Sequence, residues 1–244
     1  MRIPGTLRTV AAVAGLTLLA GCGGGNSGSG GRKHDGHGAR PAPAASSVDR
    51  AKRIPDVGPR LRSRIPAASR QVVTVHGRGA DSADATVVLW TKDDGTWNRT
   101  RQWSGHNGKR GWTTDHHEGD KRSPVGVFTL SDAGGVLPEP RGAALPYSRS
   151  AAFAAPRQWP RTHWHDFDYV IAIDYNRVKG TPPNDPTRPQ GQSKGGSIWL
   201  HLDHGSGTSG CVSVPESAMR YLLSTLDPAR HPVVVMGDEA RLKA

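Results

Sequence analysis

Ser197-Ile198-Trp199-Leu200-His201-Leu202-Asp203-His204-Gly205-Ser206-Gly207-Thr208-Ser209-Gly210-Cys211-Val212-Ser213-Val214-Pro215-Glu216 is the stretch on which the reading of this chain turns. Its first six residues alternate with a period of two, so Ile198, Leu200 and Leu202 fall on one face of a strand and Ser197, Trp199 and His201 on the other. The apolar face reads as core, and His201 is expected to point away from it. Ten residues after His201 comes Cys211, reached through a loop containing Gly205, Gly207 and Gly210. Glycine permits conformations and close backbone approaches that other residues resist, which a site needs if amides are to aim at a developing oxyanion. Pro215 then opens a helix over 215–226. A proline in the first turn sacrifices no helical hydrogen bond, Glu216 suits the positive end of the dipole, and Ala218, Met219, Leu222, Leu223 and Leu226 recur at helical spacing.

Outward from this stretch, short apolar alternations divided by Gly, Pro, Asn and Asp predict further strands at Gln71 to Gly77, Ala85 to Lys92, Trp97 to Ser104, Val125 to Ser131, Tyr169 to Tyr175 and Pro232 to Met236. Asp94-Gly95 is a hairpin signal, because both central positions of a type I′ turn need positive φ. Many strands and one or two short helices indicate a mainly-β, sandwich or barrel-like domain. The stretches Asp132 to Pro160 and Arg177 to Gly196 are long for loops of a compact domain, and such loops are usually functional. They are expected to wall a cleft.

The first quarter has a different texture. Arg2 and Arg8 precede an apolar run, Val10 to Ala20, that is too short to span a hydrocarbon core of about 30 Å. Residues 1–22 therefore read as a signal peptide, and its end, Leu19-Ala20-Gly21-Cys22, resembles the lipobox of bacterial lipoproteins. That resemblance implies lipidation of Cys22 and attachment to the outer face of a bacterial cytoplasmic membrane, where more than one acyl chain gives a stable anchor. Residues 23–66 hold nine Lys/Arg against three Asp, so they supply much of the formal net charge of +11. Basic and rich in Gly, Pro and Ser, they read as a disordered tether. Such a tether could attract anionic lipid or anionic wall polymers. An export signal, and the lack of any motif interleaving basic and aromatic residues, argue against nucleic acid as partner. The catalytic domain is expected over 67–244.

The chain has two cysteines. With Cys22 committed to lipid, Cys211 is a single thiol in an oxidising compartment, which makes it worth reading as reactive. An imidazole partner can lower a thiol pKa from about 8.5 to roughly 3.5–7.5 and give a thiolate at neutral pH. A nucleophile and base of this kind suit acyl transfer.

The same residues carry a family resemblance. His201 followed by Thr208-Ser209-Gly210-Cys211-Val212 resembles the catalytic motif of the L,D-transpeptidases of the YkuD family. Glu118 to Phe128, containing Ser123-Pro124-Val125-Gly126-Val127-Phe128, is similar to the family's Ser/Thr-Pro-x-Gly-x-Phe strand, and Asp168 to Asn176 agrees as well. The likeness spans about Gln71 to Met236. Two positions depart from the commonest pattern: Ser209 stands where a second histidine is usual, and Ser213 where an Arg or Asn often follows the cysteine.

The resemblance implies a YkuD-like β-sandwich and a cysteine enzyme acting on peptidoglycan stem peptides as acyl donor and amine acceptor, without a cofactor. Cys211 would be the nucleophile, His201 the base and acid, oriented by a backbone carbonyl, and the amides of Gly210 and Cys211 the oxyanion donors. Trp199, Thr208, Ser209 and Ser213 are the expected substrate contacts.

Other readings use the same chain. L,D-carboxypeptidase activity would employ the same acyl-enzyme with water as acceptor, and a non-catalytic wall-binding lipoprotein would keep only the fold. His116-His117-Glu118, His163-Trp164-His165 and His201-Leu202-Asp203-His204 could suggest a zinc-dependent wall peptidase. The sequence offers no convincing third ligand, so no metal is expected. His163 or His165 would instead line the cleft.

Overall fold

The structure is a computed structural model that describes residues 50–244. The signal-like segment, Cys22 and the tether up to residue 49 lie outside the described residues. In chain order the strands are β1 (Arg50–Ala51), β2 (Gln71–Gly77), β3 (Asp84–Asp93), β4 (Thr96–His106), β5 (Trp112–Thr113), β6 (Ser123–Pro124), β7 (Gly126–Thr129), β8 (Ala133–Gly135), β9 (Tyr147–Arg149), β10 (Val170–Ala172), β11 (Trp199–Leu202), β12 (Val212–Val214) and β13 (Val233–Asp238). The α-helices are α1 (Pro59–Arg62), α2 (Glu216–Thr225) and α3 (Glu239–Lys243). The fold is mainly β, as expected. Among the described residues no helix is long and apolar enough to cross a membrane.

One large mixed sheet runs in the order β7-β13-β2-β3-β4-β12-β11-β10-β8-β9, with β1 on β4, and β5 and β6 form a separate parallel pair. Asp94 (φ 49°) and Gly95 (φ 76°) make the hairpin turn between β3 and β4. The period of two decides what each strand buries. Val73, Val75, Val87, Leu89, Val234 and Met236 face a core shared with Ile171, Leu200, Leu202, Val212 and Val214 of β10–β12, and α2 packs Ala218, Met219, Leu222 and Leu223 into it. The sheet thus curls until its two halves face each other, giving the sandwich. Each fully buried side chain of this size is worth about 1.5–3 kcal/mol.

The alternate residues, Val72, Val88, Trp90, Val233 and Val235, point to the opposite face, where they meet Ile54, Val57, Leu61 and Leu242 in a second cluster. This corrects the expected boundary. Residues 50–66 are not tether: β1 pairs with Asn98 and Trp97, Gly58 N–H donates to Leu242 O at 2.8 Å, and the apolar residues among the basic ones are covered. Within a basic segment, apolar residues spaced three and four apart suffice to seal one sheet face.

The long loops are tied down by buried ionic contacts. The Arg177 guanidinium reaches Asp132 at 2.9 Å and also binds Asp174, all three side chains being nearly inaccessible. Asn176, in the left-handed region at φ 44°, donates from Nδ2 to Gly191 O at 3.0 Å. Residues 177–196 are thereby held beside β11, where Trp199 Nε1 donates to Pro183 O at 3.1 Å.

Candidate active site

β11 and β12 are neighbouring parallel strands joined by only nine residues, 203–211. Parallel neighbours usually need a crossover of a dozen or more. Here the strands are so short, about 13 Å at 3.3 Å per residue, that nine residues can travel back along them. The register pairs Leu200 with Val212 and His201 with Ser213, which sets Cys211 beside Trp199. Because alternate residues share a face, Trp199, His201, Cys211 and Ser213 all project to the same side of the two strands. The cysteine and the histidine are diagonal neighbours on it.

The loop that returns Cys211 is held from within and from the β6 side. Thr208 Oγ1 donates to Cys211 O at 2.7 Å and accepts from Gly210 N–H at 3.1 Å. Ser123 Oγ, fully buried, accepts from Gly108 N–H at 2.9 Å and reaches Gly210 O at 2.7 Å and Cys211 O at 3.2 Å. Gly210 has φ 149°, and a Cβ there would stand 3.1 Å from Arg122 O and 3.3 Å from Ile198 Cδ1. The stretch around Ser123 and the stretch around Cys211 are distant in sequence and form one structure.

Cys211 Sγ accepts from Trp199 N–H at 3.4 Å and donates to Ser197 O at 3.3 Å. His201 is 2% exposed, and its Nδ1 donates to Leu202 O at 2.8 Å. A carbonyl only accepts, so this bond puts the proton on Nδ1 and leaves Nε2 as the lone-pair nitrogen of the neutral ring. Phe153, Phe167 and Trp199 roof the face, with ring centroids 5.8 Å apart for Phe153–Trp199, 5.3 Å for Phe167–Trp199 and 5.2 Å for Phe167–His201.

This roof overturns two electrostatic expectations. His201 does leave the Ile198/Leu200/Leu202 side, yet the second face is largely covered too, with Trp199, His201 and Ser213 buried and Cys211 only partly exposed. Desolvation pushes the His201 imidazole down to about 4 despite its carbonyl bond, and burial pushes the Cys211 thiol up to about 11. Both shifts favour a resting thiol and neutral imidazole over a thiolate–imidazolium pair. Among the described residues no positive charge acts on the thiol to offset its desolvation.

The expected substrate contacts also need correction. Ser213 is fully buried and donates to Asp203 Oδ1 at 2.6 Å; the same oxygen lies 2.7 Å from His106 Nδ1. Burial alone would raise the Asp203 carboxyl, but the hydrogen bonds from Ser213 and His106 outweigh it and hold the group below the usual carboxylate range. Thr208 is buried and committed to its own loop, and Trp199 is buried as a packing residue of the roof. Of the four, Ser209 alone is exposed. The Gly210 amide, expected as an oxyanion donor, is taken by Thr208. Sequence reasoning gave no role to Ser123, although it lay within the quoted Ser-Pro-x-Gly-x-Phe segment. Phe167 carried no signal at all.

The histidines divide sharply. His165 is exposed and bonds Asp168 at 2.9 Å, away from the pair. His163 and His204 instead converge on buried Asp166, with His163 Nδ1 2.9 Å and His204 Nδ1 3.0 Å from Asp166 Oδ2. The third donor that the sequence lacked is thus supplied by the fold, one ring beyond His201, whose centroid lies 6.3 Å from that of His204.

Comparison with known proteins adds a family. The sequence profile of the YkuD L,D-transpeptidase catalytic domain matches residues 80–235. No curated protein matches the chain. Among solved structures, that of Bdellovibrio bacteriovorus Bd1075 is similar at 13% identity and a TM-score of 0.39, covering 68% of this chain and 47% of that one. The chain spans about half the length of that structure.

Proposed function

Since the chain belongs to the YkuD family of L,D-transpeptidase catalytic domains, which act on peptidoglycan stem peptides, we propose that it is a cysteine acyltransferase with Cys211 as nucleophile and His201 as base and acid. The observation that carries this reading is the shared face of the two side chains, with His201 Nδ1 bound to Leu202 O so that Nε2 is the nitrogen open to a thiol proton. In the reaction, Sγ attacks the carbonyl at the L-centre of the stem's third residue while its proton passes to Nε2. The Cys211 backbone N–H is the donor nearest the developing oxyanion. Collapse expels the terminal D-alanine, whose amine takes the proton from His201, and leaves a thioester on Cys211. An amine of a neighbouring stem attacks the thioester, His201 receives its proton, and a cross-link between third residues forms as the thiolate leaves and is reprotonated.

A neutral resting pair fits this scheme. Proton transfer concerted with attack needs no standing thiolate, and the apolar aromatic roof strengthens each local dipole. Ser209, exposed beside Cys211, contacts the incoming stem. Lipidation at Cys22 and the basic stretch after it would keep the domain outside the cytoplasmic membrane, close to anionic wall polymers.

The test is turnover of a stem tetrapeptide with an acceptor stem by the full chain, its Cys211→Ala variant and its His201→Ala variant. Cross-linked dimer and free D-alanine from wild type alone are expected. Activity that survives Cys211→Ala or thiol alkylation and disappears with a chelator would replace the thiol mechanism by a metal-dependent peptidase.

A further inference from the structure

His163, Asp166 and His204 offer three ligand atoms that all lie within 4.8 Å of one another. Asp166 Oδ2 itself lies 2.9 Å from His163 Nδ1 and 3.0 Å from His204 Nδ1. A tetrahedral zinc-class ion with bonds of about 2.0–2.2 Å sets its ligand atoms about 3.3 Å apart, so small shifts would seat one. The donor set, two imidazoles and a carboxylate, is the kind that leaves a fourth position for water or another group.

A second observation points to a ligand at the same place. The His204 side chain is only 4% exposed, and among the described residues neither of its ring nitrogens has a hydrogen-bond partner. Its Nδ1 is near Asp166 Oδ2 but out of line for a hydrogen bond. A buried imidazole left without partners normally costs about 1–3 kcal/mol. The His163 and His204 ring centroids are 4.0 Å apart, so two imidazoles crowd one carboxylate in a buried corner.

The placement joins two segments. His163 and Asp166 belong to the piece that carries Phe167 onto His201, whereas His204 belongs to the loop that returns Cys211. Leu202 N–H donates to Asp166 O at 2.9 Å, so the two are already in contact by backbone. We propose that His163, Asp166 and His204 bind a divalent cation of the zinc class, which fastens the Trp159–Phe167 segment over the Cys211–His201 pair. The proposal is independent of the acyl chemistry, because it concerns donors that the mechanism does not use.

The test is metal uptake by the full chain, probed with zinc(II) and with cobalt(II) as its spectroscopic stand-in, in wild type, Cys211→Ser, His204→Gln and His163→Gln. The other histidines remain in every variant, so the difference isolates this set. Wild type and Cys211→Ser should each hold one more equivalent than the two histidine variants, show a tetrahedral cobalt spectrum and gain melting temperature with zinc(II). The histidine variants should bind about 100-fold more weakly or worse. Should His204→Gln fail to fold, His163→Gln, at a partly exposed ring, carries the comparison. Equal uptake by wild type and both histidine variants, loss of uptake only in Cys211→Ser, or no uptake by wild type would each overturn the proposal.

Discussion

Ser123 Oγ donates to the carbonyl oxygen of Gly210 at 2.7 Å, joining the β6 segment to the residue just before Cys211. The same hydroxyl accepts from Gly108 N–H, so one buried atom fixes two backbone segments. Ser123→Ala leaves a buried carbonyl and a buried amide without this partner. A loss of about 1–3 kcal/mol in urea unfolding is expected, with a larger fractional fall in acylation rate than the stability loss alone would give. Unchanged stability and rate would show that the loop positions Cys211 without Ser123.

Gly210→Ala tests the backbone at the nucleophile. The residue sits at φ 149°, and the added methyl would meet Arg122 O and Ile198 at about the limit of contact. Strain of this kind costs on the order of 1–3 kcal/mol. The variant should melt lower and be acylated at Cys211 more slowly than wild type; an equally stable protein acylated at the wild-type rate would refute the expectation.

Cys211 should be slow to alkylate at neutral pH. With the thiol pushed up to about 11 by burial, the rate of reaction with iodoacetamide should climb steadily from pH 7 to pH 10 without a plateau. A plateau at or below pH 7 would mean a stable thiolate–imidazolium pair.

His201 makes stability depend on pH. Its folded pKa, pushed down to about 4, lies below the unfolded value of about 6.5, so between the two the unfolded chain binds a proton that the folded chain refuses. Stability from this group is present in full above about pH 6.5 and is lost as pH falls towards 4, a change on the order of 3 kcal/mol. Burial also lowers His76 and His116, which act in the same direction. The informative quantity is therefore the difference in denaturation midpoint between wild type and His201→Gln across pH 7 to 4. That difference should shrink on acidification, and a constant difference would contradict a neutral buried His201.

Where the sequence was legible, one local signal sufficed. Gln71–Gly77 and helix α2 emerge almost to the residue because β-branched Val72, Val73, Thr74 and Val75 run together in the first and apolar residues recur at helical spacing in the second. β12 escaped notice because three residues, Val212 to Val214, are too few to show a period. The early boundary at Arg50 was hidden by charge, since Ile54, Val57 and Leu61 are surrounded by Arg and Lys. At the site, spacing placed His201 and Cys211 together, but burial of their face depends on Phe153 and Phe167, which come from remote loops. For the same reason Ser213 and Thr208 looked like substrate contacts when they are internal braces. His163, Asp166 and His204 meet only through tertiary structure.

The most direct measurement is intact-mass analysis of the full chain, wild type and Cys211→Ala, after incubation with a stem tetrapeptide or with a carbapenem, a class that acylates cysteines of this family. Wild type should gain the mass of the stem less its terminal D-alanine, or of the intact carbapenem, and the Cys211→Ala variant should gain nothing. D-alanine release by Cys211→Ala, with no adduct on either protein, would contradict the thioester mechanism.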